Sequence, residues 1–164
     1  MAIRAISAIM TILTLGDRIG EEKMNRLKCW MGLHGEWLSS HLSKKWRLNN
    51  NHLILELIGL SIIGIQMPAH PDSGKWAKKG LSLLKEEISK QTMDGRNWEP
   101  TTAYHRFVTE ACLDHFSFSN GHPVFEDSLE EFKSILQGMV TTLVQISDSN
   151  GRIPLVGDDD GGSV

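Results

Sequence analysis

Apolar residues recur every three or four positions along most of this chain, which is the period of the α-helix. The third apolar segment is hydrophobic nearly all round and is expected to be buried on most sides. The fourth has a narrow apolar stripe and a lysine-rich outer face, which is typical of a helix with one solvated side. The pattern predicts six helices over about 2–15, 21–45 with a break around Gly32 to Gly35, 51–65, 73–91, 100–118 and 126–146.

The connections between these helices are short, so the predicted fold class is all-α, built from antiparallel helical hairpins. Asp94-Gly95 marks a tight turn, and the only strand-like segment, "GRIPLVG", contains Pro154 and is expected to be an edge or an extended loop. The sixth helix has near-heptad spacing, but packing within the domain is favoured over a coiled coil. Inner apolar helices alternating with one-sided outer ones indicate a two-layered array, either a solenoid or an α/α toroid. The absence of a fixed repeat disfavours the solenoid.

Composition fits one ordinary globular domain, with 40% hydrophobic and 23% charged residues among 164. The net charge of -3 disfavours a nucleic-acid partner. Cys29 and Cys112 lack metal or disulfide spacing and are predicted to be buried free thiols. The apolar run after Arg4 has signal-peptide length, but Gly16 and Asp17 end it without a small-residue cleavage site, so a buried or amphipathic helix is favoured. No apolar run reaches the length of a membrane span.

The first candidate site is "NNNHLILELIG", in which polar residues open the most apolar helix. If Asn50 or Asn51 is the N-cap, His52 lies in the first turn, and Glu56 follows one turn later on the same face. A carboxylate in that position can orient an imidazole. The alternative is a simple cap, because asparagine commonly begins helices, and both interpretations stay open at this point.

The second candidate is "EPTTAYHRFVTE", which contains Tyr104, the only tyrosine in the chain. In the first turn its phenol feels the positive end of the helix dipole, which favours the phenolate and suits acid or base chemistry. His105 is turned about 100 degrees away and is expected to face solvent or a cleft. Arg106 and Glu110 form an i,i+4 pair that is expected to be structural. The alternative for Tyr104 is a core residue whose hydroxyl is hydrogen-bonded.

The third candidate is the segment "SDSNGRIPLVGDDDGG" near the end of the chain. Asp158, Asp159 and Asp160 offer carboxylates, but the spacing of a calcium loop is missing, so a solvated acidic loop is favoured. "HGEWLSSH" does not have the spacing of a zinc-protease motif. No metal and no cofactor are predicted.

Three stretches together resemble a known family: "NNNHLILELIGLSIIG", "KKGLSLLKEEISKQTMDGRNWEPTTAYHRFVTEACLD" and "DSNGRIPLVGDDDGG". The ordered motifs Asn-Asn-His, Glu-x-x-x-x-Tyr-His and Gly-Asp-x-Asp are similar to those of the heparinase II/III-like polysaccharide lyases, which are related to alginate and oligoalginate lyases. The resemblance begins in the first helix and covers nearly the whole chain. It implies an incomplete piece of an (α/α) toroid, in a single partial domain over residues 1–164, without the family's C-terminal β-sandwich.

The resemblance also implies β-elimination on an acidic polysaccharide or oligosaccharide that contains uronic acid, and a periplasmic or secreted bacterial location. Asn51 and His52 match the residues that neutralise the sugar carboxylate, and Tyr104 matches the acid/base tyrosine. A further histidine or second tyrosine of the family has no matching position here. The expected substrate-binding residues are Asn50, Glu56, His105, Arg106 and Asp158.

A different class of function stays open, namely a non-catalytic helical protein that binds an acidic glycan or a protein partner. An incomplete toroid would also expose apolar helix faces, so self-association is expected.

Overall fold

The computed structural model describes residues 1–44, 50–126 and 129–158. Its elements, in chain order, are α1 (Ala2–Leu15), a 3-10 turn (Gly16–Arg18), α2 (Glu21–Ser40), α3 (Asn51–Gln66), α4 (Ser73–Gln91), β1 (Thr92–Met93), β2 (Arg96–Asn97), α5 (Thr102–Ser119), α6 (Pro123–Glu126) and α7 (Leu129–Ile146). The all-α fold class is therefore confirmed. No helix among the described residues is long and apolar enough to span a bilayer.

Helix α3 is the centre of the fold, because it packs against α1, α2, α4 and α5. Its side chains are buried almost without interruption from Leu53 to Ile65, as its uniformly apolar sequence predicts. Helix α4 lies on the outside and buries one stripe, formed by Trp76, Leu81, Leu84 and Ile88. The inner helices α1, α3, α5 and α7 contact each other in chain order. This alternation of inner and outer helices is the predicted two-layered arrangement.

Helices α3 and α4 are antiparallel and approach closely at two glycines. A Cβ atom added to Gly80 would lie 2.6 Å from the backbone nitrogen of Ser61 and 2.8 Å from the carbonyl oxygen of Leu57. A Cβ on Gly64 would collide with the backbone of Ala77 on the opposite helix. Only residues without a side chain permit this spacing, so the two glycines set the distance between the inner and outer layers.

Helix α2 differs from its prediction in two ways. It is continuous through Gly32 and Gly35, and it ends at Ser40 instead of continuing to residue 45, which lies outside the described residues. The predicted break at these glycines is therefore wrong. They make room for neighbours instead, since a Cβ on Gly35 would lie 2.6 Å from a ring carbon of Trp76 and one on Gly32 would touch His70.

The Asp94-Gly95 turn joins two very short antiparallel strands, β1 and β2. Both turn residues have positive φ, 51° for Asp94 and 75° for Gly95, as expected of a tight hairpin. Gly95 also lies against Gly138 of α7, where an added Cβ would be 2.5 Å from the Gly138 carbonyl oxygen. The hairpin is thereby fixed to the last helix. The segment around Pro154, among the described residues, forms no strand.

The predicted sixth helix corresponds to α7, which ends at Ile146 as predicted, and residues 127 and 128 between α6 and α7 lie outside the described part. Its near-heptad apolar positions pack inside the domain, since Phe125, Phe132, Leu136 and Met139 are all buried. In the structure, α7 therefore packs within the domain and not as a coiled coil. Other large apolar side chains stay exposed, among them Leu13, Leu33, Trp37 and Val144. Self-association through such faces stays a prediction.

The two cysteines have different environments, and the prediction that both are buried is wrong for one of them. Cys112 is fully buried in the core, and burial raises the pKa of its thiol to about 12. Cys29 is exposed on α2.

We expect a maleimide reagent to label the native chain once, at Cys29. The thiolate is the reactive species, and the buried Cys112 thiol does not form it readily. Mass spectrometry of the labelled peptides checks this, and Cys29→Ser is the control. Rapid native labelling of Cys112 would contradict it.

Candidate functional site

A cavity of about 450 Å³ opens where the inner helices α1, α3 and α5 begin. N-terminal residues of all three helices line it, so these helices run in the same direction. The segment that leads from the hairpin into α5 closes one side. The lining residues are Ile3, Asn50, Asn51, His52, Leu55, Glu99, Pro100, Thr101, Ala103, Tyr104 and Phe107.

Four residues singled out in the sequence lie together in this cavity: Asn50, Asn51, His52 and Tyr104. Asn51 is the first residue of α3 and is only 6% exposed, whereas His52 is exposed. Tyr104 is half-buried in the first turn of α5. The site therefore combines amide, imidazole and phenol groups in one concave space, which is what an acid/base site needs.

The start of α5 is fixed by its cap. Thr101 is the N-cap residue, and its hydroxyl oxygen accepts a hydrogen bond from the backbone N–H of Tyr104 at 3.0 Å. The threonines after Pro100 therefore act as the predicted start signal. Because the cap holds the first turn, it also determines where Tyr104 enters the cavity.

Glu56 does not occupy the predicted position as a partner of His52. Its carboxylate accepts hydrogen bonds from Ser43, at 2.6 Å from the backbone nitrogen and 2.7 Å from the hydroxyl. The prediction that Glu56 orients the histidine is therefore wrong. Glu56 instead ties α3 to the segment after α2, a contact across 13 residues of sequence that helical spacing does not reveal.

His105 is buried, at 5% exposure, so the expectation that it faces solvent is wrong. Its Nδ1 accepts a hydrogen bond from the Asn97 backbone nitrogen at 3.3 Å, and its Nε2 lies 3.1 Å from the Met139 carbonyl oxygen. Since Nδ1 accepts, Nε2 carries the proton and donates to that carbonyl. Burial lowers the pKa of His105, and the hydrogen bond to Met139 opposes this effect. The imidazole connects the hairpin to α7, which is a structural position.

Arg106 and Asp158 lie away from the lining of the cavity. Arg106 borders a separate hollow of about 180 Å³ against residues 153–155, and its guanidinium is 3.6 Å from Glu110. The terminal segment is held on α5 because the Thr102 backbone nitrogen donates to the Val156 carbonyl at 3.1 Å. Asp158 follows this contact and is exposed. Substrate binding by Arg106 or Asp158 therefore stays a prediction without support from the cavity.

Asn49, Asp159 and Asp160 lie outside the described residues. Within the described ranges, no three histidine, cysteine, aspartate or glutamate side chains are grouped so that they could hold a metal ion.

Glu99 contributes a carboxylate to the cavity lining, although it was not assigned to the site from the sequence. It is half-buried, lies just before the start of α5, and its Oε1 accepts a hydrogen bond from the backbone N–H of Asn51 at 3.5 Å. A signal was present, since Glu99 begins the Glu-x-x-x-x-Tyr-His motif. The sequence alone does not show that the Glu99 carboxylate contacts the start of α3, 48 positions earlier.

The helices form an inner and an outer layer, and the candidate residues lie where successive inner helices begin. This arrangement defines the class of α/α-toroid proteins. A family model described as Heparinase II/III N-terminus matches residues 32–163, and the chain belongs to this family.

Individual relatives agree with this assignment. A heparin-sulfate lyase of Pedobacter heparinus is 25% identical over 124 residues, covering 75% of this chain and 18% of that protein. The crystal structure of a mutant of the heparan sulfate lyase HepC from Pedobacter heparinus is similar with a TM-score of 0.66 and 24% identity, covering 84% of this chain and 21% of that one. A heparinase III is similar with a TM-score of 0.65 and 18% identity, covering 79% of this chain and 20% of that one. The chain thus spans about a fifth of these relatives.

Proposed function

We infer that this chain carries part of the active site of a polysaccharide lyase that acts by β-elimination on a uronic-acid-containing glycan. The observation that supports this most is the convergence of Asn51, His52 and Tyr104 on one cavity. The family assignment supports the lyase class. Two relatives are named as lyases of heparin sulfate or heparan sulfate, which are acidic glycans, and we extend that substrate class to this chain as a proposal.

The chemistry begins at the carboxylate of the uronic acid, which makes the C5 proton hard to remove while it stays charged. The Asn51 carboxamide can donate hydrogen bonds to this carboxylate, and His52 can add a second donor. Their hydrogen bonds strengthen as negative charge grows towards an enolate, so they lower the barrier to proton removal.

Tyr104 supplies the proton transfers. A phenolate at this position removes the C5 proton, the electron pair forms the C4–C5 double bond, and the C4–O bond to the leaving sugar breaks. The same phenol then returns the proton to the leaving oxygen, as a syn elimination allows. Both sugars therefore leave with balanced charge, and one carries an unsaturated uronate.

A kinetic assay tests this proposal through the ultraviolet absorbance of the unsaturated uronate. The substrates are heparan sulfate, hyaluronan and alginate. If this chain is a piece of a longer protein, the whole protein is assayed. We expect a rise on at least one substrate, and Tyr104→Phe should reduce its rate at least about 1,000-fold, since the proton transfers lose their carrier. His52→Gln should be clearly slower, whereas His41→Gln, a histidine exposed outside the cavity, should match the wild type. Full activity in Tyr104→Phe would refute the assignment.

A second candidate is binding of an acidic glycan without cleavage. It is favoured because the described lining of the cavity holds no histidine or tyrosine besides His52 and Tyr104, so the additional catalytic residue that the resemblance implies has no counterpart in this cavity. Calorimetric titration with heparan sulfate oligosaccharides distinguishes the two: binding that Asn51→Ala weakens, with no absorbance rise in the whole protein, supports this candidate. A periplasmic or secreted location stays a prediction.

A further inference from the structure

We propose that Glu99 is a positioning residue, which holds the start of α3 so that the Asn51 carboxamide and the Tyr104 phenol face the same point of the cavity. This inference rests on the proposed function for its catalytic consequence, but its structural part stands on contacts between α3, α5 and the hairpin.

The start of α3 lacks a cap of its own. Asn50 is the N-cap residue, yet its side chain makes no capping hydrogen bond. The first N–H groups of a helix need acceptors, and here the Glu99 carboxylate accepts from the Asn51 backbone N–H at 3.5 Å. On the other side of the hairpin, Gln91 Nε2 donates to the Asn50 carbonyl oxygen at 3.5 Å. Two side chains that flank the hairpin therefore hold Asn50 and Asn51, the residues at which α3 begins.

Glu99 is itself held in place. Its backbone N–H donates to the side-chain oxygen of Asn97 at 3.0 Å, and its carbonyl accepts from the Thr101 backbone nitrogen at 2.8 Å. The Asn97 backbone N–H donates to His105, which in turn bonds to the Met139 carbonyl. A continuous set of hydrogen bonds thus connects α7, through α5 and the hairpin, to the first residue of α3. Glu99 is the last member of this set and the one that reaches the cavity.

A carboxylate suits this position because it is favourable at a helix N-terminus, where the dipole is positive. It also places a negative charge beside the space in which a sugar carboxylate would bind. Positioning requires only an acceptor oxygen, which glutamine also has. Charge repulsion requires the ionised carboxylate, which glutamine lacks. Glu99→Gln and Glu99→Ala therefore separate the two effects.

The first experiment measures positioning without any substrate. Amide hydrogen exchange at Asn51, followed by nuclear magnetic resonance, reports whether its N–H is bonded. We expect Glu99→Ala to accelerate exchange at Asn51 about fivefold, which corresponds to the loss of one ordinary hydrogen bond, and Glu99→Gln to leave it close to the wild-type rate. The control is Glu130→Ala, which removes an exposed carboxylate of α7 paired with Lys133. Unchanged exchange in Glu99→Ala would overturn the proposal.

The second experiment uses the lyase assay on the form of the protein that shows turnover. We expect Glu99→Ala to lower kcat about tenfold with little change in KM, because a misplaced Asn51 stabilises the enolate-like charge less. Glu99→Gln should restore kcat and lower KM, since it keeps the acceptor and removes the repulsion. Equal loss of kcat in both variants would overturn the positioning role. Absence of turnover in the wild type would refute the proposed function alone, because the exchange result decides the positioning role independently.

Discussion

Gly80→Ala is expected to lower the free energy of unfolding by about 3 kcal/mol, a large part of the 5–15 kcal/mol typical of a domain. The new methyl group would lie 2.6 Å from the Ser61 nitrogen and 2.8 Å from the Leu57 carbonyl oxygen. Both contacts are with the backbone of α3, so no side chain can rotate away. Helices α3 and α4 would have to separate, and the apolar contacts between them would loosen.

Gly74→Ala is the matched control, because it makes the same substitution in the same helix. Gly74 lies in the first turn of α4, is exposed, and has nothing within 4 Å of an added Cβ. Alanine should raise stability there by about 0.5 kcal/mol, since it restricts the unfolded chain and favours the helix. Urea unfolding followed by far-ultraviolet circular dichroism measures both variants. Equal stability of Gly80→Ala and Gly74→Ala would show that the helices are not in contact at this point.

Acid is expected to destabilise the fold through His115, which is fully buried and packs against the rings of Phe125 and Phe132. Burial lowers the pKa of His115 to about 3 from an ordinary value of 6.5. Between these two values the unfolded chain binds a proton that the folded chain does not, so stability falls as pH decreases through this window. The expected slope reaches about 1.4 kcal/mol per pH unit for this one group. The lowered pKa of His105 acts in the same direction.

His115→Gln isolates this contribution. Glutamine can still bond to the hydroxyl of Ser61, which lies 3.0 Å from the imidazole Nε2, but it cannot take up the proton. The variant should be less stable at neutral pH, because glutamine packs poorly against the rings of Phe125 and Phe132, yet lose less stability on acidification. Urea unfolding at a series of pH values measures the two slopes, with the exposed His41→Gln as the control. A slope in His115→Gln as steep as in the wild type would rule out His115 as the source.

Much of the fold follows from local pattern. Helices α1, α3 and α4 lie within a residue of the predicted ranges, because each has an apolar stripe or a continuous apolar run with a defined end. Predictions failed where a partner distant in sequence decides the outcome. In the sequence, Gly32 and Gly35 resemble a break in the helix, whereas in the folded chain they make room for His70 and Trp76.

The site divides in the same way. The first turns of α3 and α5 were predictable, and parallel inner helices bring them to one end. The partners of Glu56 and His105 were not, because helical spacing describes only neighbours on the same helix. Ser43 donates hydrogen bonds to Glu56, and His105 is hydrogen-bonded to the hairpin and to α7. Glu99 belongs to a motif in the sequence, but its contact with Asn51 depends on how two segments meet in space.

The shared direction of the inner helices has an electrostatic consequence. The chain has a net charge of -3, which alone would repel an anionic ligand. Three helices nevertheless begin at the same cavity, and each helix N-terminus carries roughly half a positive charge. These partial charges act at the same end of the molecule, where they oppose the negative charge of Glu99 in the cavity lining. The backbone therefore supplies positive potential at this end of the molecule, which the net charge of the side chains does not reveal.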